Sequence, residues 1–554
     1  MPGLRVRFAS GSARSLETVL RPLLFLILLI VPVTVLATEL RQPLPTSQAL
    51  VGVRIVTAPG QVIESGTIVI RDGIIEAVGA EVRVPPDARV HEFERDEGQD
   101  PITVYPGLIE PYLLIDLPKA ENGSVPSGRH ALIQPDRRLR AAEWPQDRIT
   151  ELRRAGFTTV LIAGNDGLLR GHGVIANTGE GGLSENRLHG DFGQFASFAG
   201  RAEGRNFPSS LMGAVALLRQ TLEDARWQVQ ARAAMQRNPA QRRPEWLEGL
   251  DDLAPALAGD TPLVFESQDL LDTLRILEFI PPGNIDLVVV GHGAEYQRLA
   301  ALAQRPVRHI LPLNFPEPPD IDEDNDRNVS LEVLRHWHRA PENPARLSEA
   351  GIPLLFTGHD LSSPSQLFAR LATAIERGLD PEAALAAITT EPARWLGLED
   401  RAGRIRPGMM ANLVVVEGEL LTDAPALTEV WVDGQRHVLA ALIPPEVDPA
   451  GTWDLVLGLG GMGDVDASLV LTGPPTRMQG TLSVMGNDTP LSEVRVSGER
   501  VIATIDASRL GGSGTISIRL DIDGDRARGS GSGPFGDFSV RGRRVSDPEL
   551  EEAI

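Results

Sequence analysis

Tyr105-Pro106-Gly107-Leu108-Ile109-Glu110-Pro111-Tyr112-Leu113-Leu114 stands where one sequence pattern gives way to another. Before it, residues 49–104 read as strand and turn: the runs 52–56, 66–70 and 74–78 are rich in Val, Ile and Thr, and Asp72-Gly73 sits between the last two as a two-residue hairpin turn. After it, apolar runs of strand length alternate with helical stretches, the signature of βα units around a parallel sheet. Candidate strands are 159–162, 262–265, 286–290, 309–313 and 353–356, nearly continuous in apolar residues, as strands buried on both faces must be. One helix is marked by its punctuation, with Asp380 as cap, Pro381 in the first turn and an inward stripe that includes Ala384, Leu385 and Ile388. The pattern predicts an α/β fold built on a (β/α)8 barrel over residues 105–402.

Strand signals return at 403–440, in the runs 411–416 and 430–435, so a small β-domain is expected to draw one half from residues 38–104 and the other from 403–440. Two insertions are expected in the barrel: residues 184–258, which contain an amphipathic helix opening near Ser209, and a Pro/Asp-rich loop at 316–329. Both are candidates for a lid over a barrel mouth, or for plain solvated surface. From 447 to 545 the composition shifts to Gly, Ser, Asp and short alternating strands, which predicts a separate antiparallel β-domain, sandwich or barrel. Gly458-Leu459-Gly460-Gly461-Met462-Gly463 matches a dinucleotide glycine pattern, but a strand follows where a helix must begin. Asp521, Asp523 and Asp525 read as a hairpin turn rather than a calcium loop.

Residues 1–37 read as an export leader, with Arg5, Arg7, Arg14 and Arg21 before an apolar run and Val35-Leu36-Ala37 at the cleavage position. The run is shorter than the roughly 20 residues of a membrane span, so the mature chain is expected to begin near Thr38, periplasmic or secreted, with no membrane span. No cysteine is present, which excludes disulfides, thiolate ligands and a cysteine nucleophile. A net charge of −22 argues against nucleic acid and anionic membrane as partners. Lys119 is the single lysine among 53 basic residues.

The opening stretch resembles the end of the first barrel strand in the amidohydrolase superfamily, the imidazolonepropionase-like metal-dependent hydrolases. In that family a Pro-Gly-Leu-Ile-Asp run is followed by His-x-His, whose imidazoles hold a catalytic metal. Here Tyr112 and Leu114 stand in their places; leucine offers no lone pair, and a neutral phenol is a poor ligand for zinc. The resemblance also implies a histidine at the end of the fifth strand, where Val264-Phe265-Glu266 stands and Phe265 takes the histidine's place. It implies a bridging lysine at the fourth in some relatives, which Lys119 lies too near the first strand to supply. Phe356-Thr357-Gly358-His359-Asp360 resembles the eighth-strand terminus, which makes Asp360 the candidate catalytic base. Glu110, Tyr112, Glu266, His292 and His359 are candidate substrate-binding residues, and no metal ligand is assigned. Zinc or another divalent ion is expected only if the chain is active. His172 and His189, read as lying on loops after the second strand, are further candidates, whereas His336 and His338 point to different faces of one helix.

Three functions follow. The resemblance implies a hydrolase of non-peptide C–N bonds, such as those of cyclic amides. Loss of ligands at two strands turns this toward an exported pseudoenzyme or partner subunit binding a small molecule, accompanied by a His-x-His-bearing copy or by a second copy of itself. The alternatives are an active amidohydrolase with a rearranged metal site, and an envelope binding protein that uses its C-terminal β-domain.

Overall fold

The computed structural model describes residues 47–93, 101–117, 130–200, 207–240, 245–319, 329–423, 425–439 and, with short gaps, 447–546. The leader, Lys119, residues 320–328 of the acidic loop and most of the glycine run at 458–463 lie outside the described residues.

The two ends of the αβ region are zipped into one sheet. Strands β1 (Ser47–Ala58), β2 (Gln61–Arg71), β3 (Ile74–Gly79), β4 (Arg89–Glu92) and β5 (Ile102–Pro106) come from before the barrel. Asp72 and Gly73 both take positive φ at the turn between β2 and β3, as a two-residue hairpin of this kind demands. β5 lies parallel to β1, and its other edge pairs antiparallel with Leu413–Glu417, Val104 opposite Val415. Leu50, Ile55, Ile68, Val104, Leu413 and Trp431 are all wholly buried between these strands. At about 1.5–3 kcal/mol for each such side chain, their burial holds residues from opposite ends of the barrel together.

The barrel strands are β6 (Leu108–Ile115), β7 (Phe157–Gly164), β8 (Leu169–Asn177), β9 (Arg187–Ser197), β10 (Leu263–Glu266), β11 (Leu287–Val290), β12 (Arg308–Pro312) and β13 (Leu354–Thr357). They form one sheet in chain order, nearly closed on itself. Ile109, Leu161, Ile175, Phe195, Val264, Val288, Ile310 and Leu355 fill its interior. Leu108, Phe157, Leu311 and Phe356 belong to a second cluster with helix residues such as Leu367, Leu371, Ala384 and Ile388. The helix Pro381–Ile388 is capped by the Asp380 carboxylate, which accepts the Ala383 amide at 2.9 Å.

Three expectations fail here. The sheet is not wholly parallel: β8 runs antiparallel to both β7 and β9, so these strands are joined by hairpin turns instead of helical crossovers. Residues 184–258 are therefore not an insertion, because they begin with the fourth barrel strand, β9. The helix Leu211–Arg237 that follows is a barrel helix: Ala214, Leu218, Leu222 and Ala225 pack in one cluster with Leu253, Phe265 and Ile276. His172 lies on β8 and His189 on β9, not on loops.

The return strands β14 (Leu413–Glu417), β15 (Ala426–Val432) and β16 (Gln435–Val438) complete the first sheet. Nine antiparallel strands follow between Gly451 and Ser546, with their own core around Trp453, Leu455, Val501, Leu520 and Val540. The Asp525 turn joins two of them, Asp523 opposite Arg526. Among the described residues no helix is long and apolar enough to cross a membrane.

Buried polar groups tie the flanking sheet to the N-terminal end of the barrel. Asn412 Oδ1 accepts the Asp433 amide at 2.8 Å while its Nδ2 donates to Asn177 Oδ1 at 3.2 Å. Asn177 in turn takes the Thr159 hydroxyl at 3.0 Å and donates to Asp433 Oδ2 at 2.7 Å. Asn412→Ala strands the Asp433 amide, and should cost about 1–3 kcal/mol, the usual cost of a buried donor left unpaired. In urea titration this reads as a lower midpoint with an unchanged slope.

Candidate functional site

The C-terminal ends of the barrel strands bring Glu110, Tyr112, Glu266 and His359 together. Glu110 is 2 % exposed. Its Oε1 accepts the Tyr112 amide at 2.9 Å and the Thr357 hydroxyl at 2.5 Å, and its Oε2 accepts the Gly358 amide at 2.9 Å. These bonds join β6 to β13, the two ends of the barrel sheet. Burial pushes the Glu110 carboxyl up to about 7, outweighing the three donors that favour its charged form.

Tyr112 points into the barrel, where its ring stacks on Phe195 and meets the edge of His359 at 5.1 Å. Its hydroxyl donates to Glu266 Oε2 at 3.1 Å. Burial, then the neighbouring Glu266 charge, raises the phenol well above its ordinary range, so it stays neutral. Glu266 ends β10. The expectation that Phe265 holds the histidine place is corrected: Phe265 packs outward against Phe198 and Phe279, and the residue that reaches Tyr112 is Glu266. A strand's side chains alternate faces, so the rim position falls one residue later than the apolar run implies.

The residue that sequence reasoning missed is Arg170. It stands near the start of β8, which the reversed hairpin places at the mouth. Its Nη1 donates to Glu266 Oε2 at 2.5 Å and lies 3.5 Å from the Tyr112 oxygen. The side chain is 4 % exposed. Gly171 beside it takes φ +85°, and a Cβ there would meet the Arg137 carbonyl oxygen at 2.3 Å. The β8–β9 register shifts at this point, so the kink sets which way Arg170 faces. Although burial works against ionised Glu266, the charge and hydrogen bond of Arg170 hold its carboxyl below the ordinary value, with His359 adding to the effect. Gln268 Nε2 donates to the other Glu266 oxygen at 2.6 Å.

His359 and Asp360 form the outer edge. His359 Nε2 lies 3.4 Å from Asp360 Oδ1, and the Asp360 side chain is 59 % exposed. Asp360 takes φ +65°, a left-handed conformation that aspartate tolerates better than most residues. His292 belongs to a neighbouring cluster. Its Nδ1 lies 3.0 Å from Glu295 Oε1 and 3.5 Å from Ser267 Oγ. Glu295 is fully buried, yet its carboxyl falls to about 2, because the His292 ring and backbone amide overcome the effect of burial. Asn343 Nδ2 donates to its second oxygen at 2.7 Å. Ser267 and His292 do not form a nucleophile–base pair, since both the hydroxyl and Glu295 approach the same ring nitrogen.

His172 sits apart with Arg138, Asp252 and Gln194, its Nε2 3.1 Å from Asp252 Oδ1. His189 is exposed on β9. His336 Nδ1 meets the Tyr296 hydroxyl at 3.2 Å.

The donor set at the mouth does not fit a metal ion. The phenol of Tyr112 is neutral, Leu114 has no donor, and the charge of Glu266 is met by Arg170. Among the described residues no three of His, Asp or Glu converge as a metal site requires.

Residues 358–438 match the model of the Amidohydrolase family. A stretch of 82 residues is 33% identical to the protein named Amidohydrolase tasK from Hapsidospora irregularis, covering 15% of this chain and 8% of that one. A stretch of 63 residues is 44% identical to an adenine deaminase of Methanopyrus kandleri, covering 11% and 10%. The matched stretches thus span a tenth or less of these curated relatives. The solved structure of an amidohydrolase from Thermotoga maritima MSB8 aligns with a TM-score of 0.54 at 19% identity, covering 70% of this chain and 98% of that chain. This last likeness is one of fold.

The Glu110 carboxyl gives the fold a signature in pH. Because its folded value of about 7 lies above the ordinary 4.5, the folded chain binds the proton more tightly than the unfolded chain. Its contribution is whole below about 4.5 and is lost as pH rises toward and through 7. Thermal unfolding followed at pH 5 and pH 8 should show a larger drop in Tm for the native chain than for Glu110→Gln, whose amide does not titrate.

Proposed function

We propose that this chain, which belongs to the amidohydrolase superfamily of hydrolases, is an exported member that keeps the barrel and does without the metal. It acts as a pseudoenzyme, a partner subunit whose barrel mouth binds a small molecule rather than cleaving it. The observation that supports this most is the chemistry of the rim: at the places where imidazoles would converge stand Tyr112, Leu114 and a β10 end whose inward group is the carboxylate of Glu266. Superfamily hydrolysis depends on a metal that lowers the pKa of a bound water to about 7, and this donor set does not supply the ligands. Export rests on the arginine-bearing leader and the apolar run that follows it.

One observation favours a second reading, in which the chain hydrolyses C–N bonds of cyclic amides through a rearranged site. The Asp360 carboxylate stands at the eighth-strand terminus, open to solvent and beside His359. A general base must reach the proton it abstracts, and Asp360 has that access.

Protein purified without chelator and dialysed should carry no stoichiometric divalent metal by elemental analysis, and should leave cyclic amides intact. Retained metal together with turnover that Asp360→Asn abolishes would move the second reading ahead. Co-expression with a His-x-His-bearing amidohydrolase encoded beside it should yield a complex. Elution alone as a catalytically active species would defeat the partnership.

A further inference from the structure

We infer that the guanidinium of Arg170 occupies the place that this fold offers to a metal ion, as a cation built into the chain. The inference deepens the metal-free reading above and rests on it.

Three observations on the molecule carry it. The first is position. Arg170 Nη1 lies 3.5 Å from Tyr112 Oη and 2.5 Å from Glu266 Oε2, closing a triangle on the 3.1 Å hydrogen bond between those two groups. These are the inward groups of the first and fifth barrel strands, from which ligands to a shared ion would have to come. The second is delivery. Only because β8 is reversed does its beginning reach the mouth, and the left-handed Gly171 next to Arg170, with no room for a Cβ, is what the close approach of Arg137 and Gln134 requires. The third is charge. The guanidinium of Arg170 is the positive group hydrogen-bonded to Glu266, with His359 adding to its effect, and the second carboxylate oxygen is taken by the neutral Gln268 amide.

Stability alone is a poor account of such a pair. Burying a guanidinium and a carboxylate costs desolvation that their attraction barely recovers, and apolar side chains of similar volume commonly serve as well. A planar, permanently charged fork that reaches a carboxylate and a phenol at once is what arginine offers and lysine does not. With the guanidinium in place, a divalent ion meets a like charge at contact distance. Without it, Glu266 keeps the neutral donors Tyr112 and Gln268 but loses the cation bonded to it, and the vacancy selects a small cation: a free guanidinium, or a divalent metal.

The experiment follows thermal unfolding of Arg170→Gly and of the native chain in ethylguanidinium chloride, in zinc chloride and in tetramethylammonium chloride at matched ionic strength. The variant should unfold at a lower temperature. Ethylguanidinium and zinc should each raise its midpoint, since a ligand that binds only the folded state stabilises it. Neither should raise that of the native chain, and tetramethylammonium should move neither. Should Arg170→Gly fail to fold, Arg170→Gln takes its place, because the amide still donates to Glu266 but carries no charge. Zinc without effect on the variant would show that Arg170 pairs with Glu266 but does not stand in a metal's place. Equal stabilisation of both proteins would also overturn the inference. Metal analysis of the native chain separates the two failures. Stoichiometric metal there defeats the metal-free reading itself, whereas a metal-free native chain with an indifferent variant defeats only the role of Arg170.

Discussion

One buried carboxylate bridges the open seam of the barrel, beside a longer bond from the Thr357 hydroxyl to the Tyr112 carbonyl. Its sheet runs from β6 to β13, and among the described residues no ladder of backbone bonds joins those two ends. Glu110 spans the gap, accepting from Tyr112 on one side and from Thr357 and Gly358 on the other. A carboxylate suits this work because it offers four lone-pair sites and no donor, so three donors from two strands can converge on it without conflict. Burial opposes them: among the described residues no cation is hydrogen-bonded to Glu110, and its charged form is disfavoured in spite of the three bonds and the more distant charge of Arg148. Thr357 passes the constraint on, because its hydroxyl accepts the His359 amide at 3.0 Å while donating to Glu110. The seam and the eighth-strand terminus are thus one hydrogen-bonded unit.

Much of this frame was legible in the sequence. The β10–β13 runs are nearly continuous in apolar residues, as strands buried on both faces must be. Asp72-Gly73 and Asp380-Pro381 carry their turn and cap in their own chemistry. What could not be read is β8 and the start of β9. Leu169–Asn177 contains two glycines, an arginine and a histidine, and Arg187–Ser197 opens with polar residues. Their composition reads as loop, and the connection between them holds a helix of four residues, Leu183–Asn186, too short to announce a βα unit. Gly173 has a physical reason to be there: a Cβ would meet the Phe195 ring at 2.7 Å. A residue that lets a strand sit close to its neighbours is the residue that makes it look unlike a strand.

The site was legible in its members and not in its logic. Glu110, Tyr112, Glu266 and His359 do meet, but the residue that relates them, Arg170, is separated by 58 positions from Tyr112 and by 96 from Glu266. No local spacing marks such a pairing. The one available hint was an arginine within a run that folds as buried strand, since a charge there must find a partner. Phe265 misled for a different reason. In a strand apolar on both faces, composition does not say which of two neighbours points inward, and a one-residue shift reverses every assignment.

Glu110 and Glu266 show how neighbours divide the properties of one residue type. Both are carboxylates at the mouth of the same barrel, largely out of water, and both take more than one hydrogen bond. Glu110, with neutral donors alone, holds its proton toward neutrality, while Glu266, with a guanidinium 2.5 Å away, stays ionised. The difference lies in the charge of the partner. A barrel that needs a fixed positive group to keep Glu266 ionised can draw it from solution as an ion or from its own chain. On the reading proposed above, taking it from the chain would make the fold independent of metal supply, and would also give up the open coordination position on which a metal-bound water depends. On that same reading the reversed β8 that brings Arg170 to the mouth is the step at which the chain would part from a metal-dependent design, while the flanking sheet, the interior apolar layer and the Glu110 seam need no change.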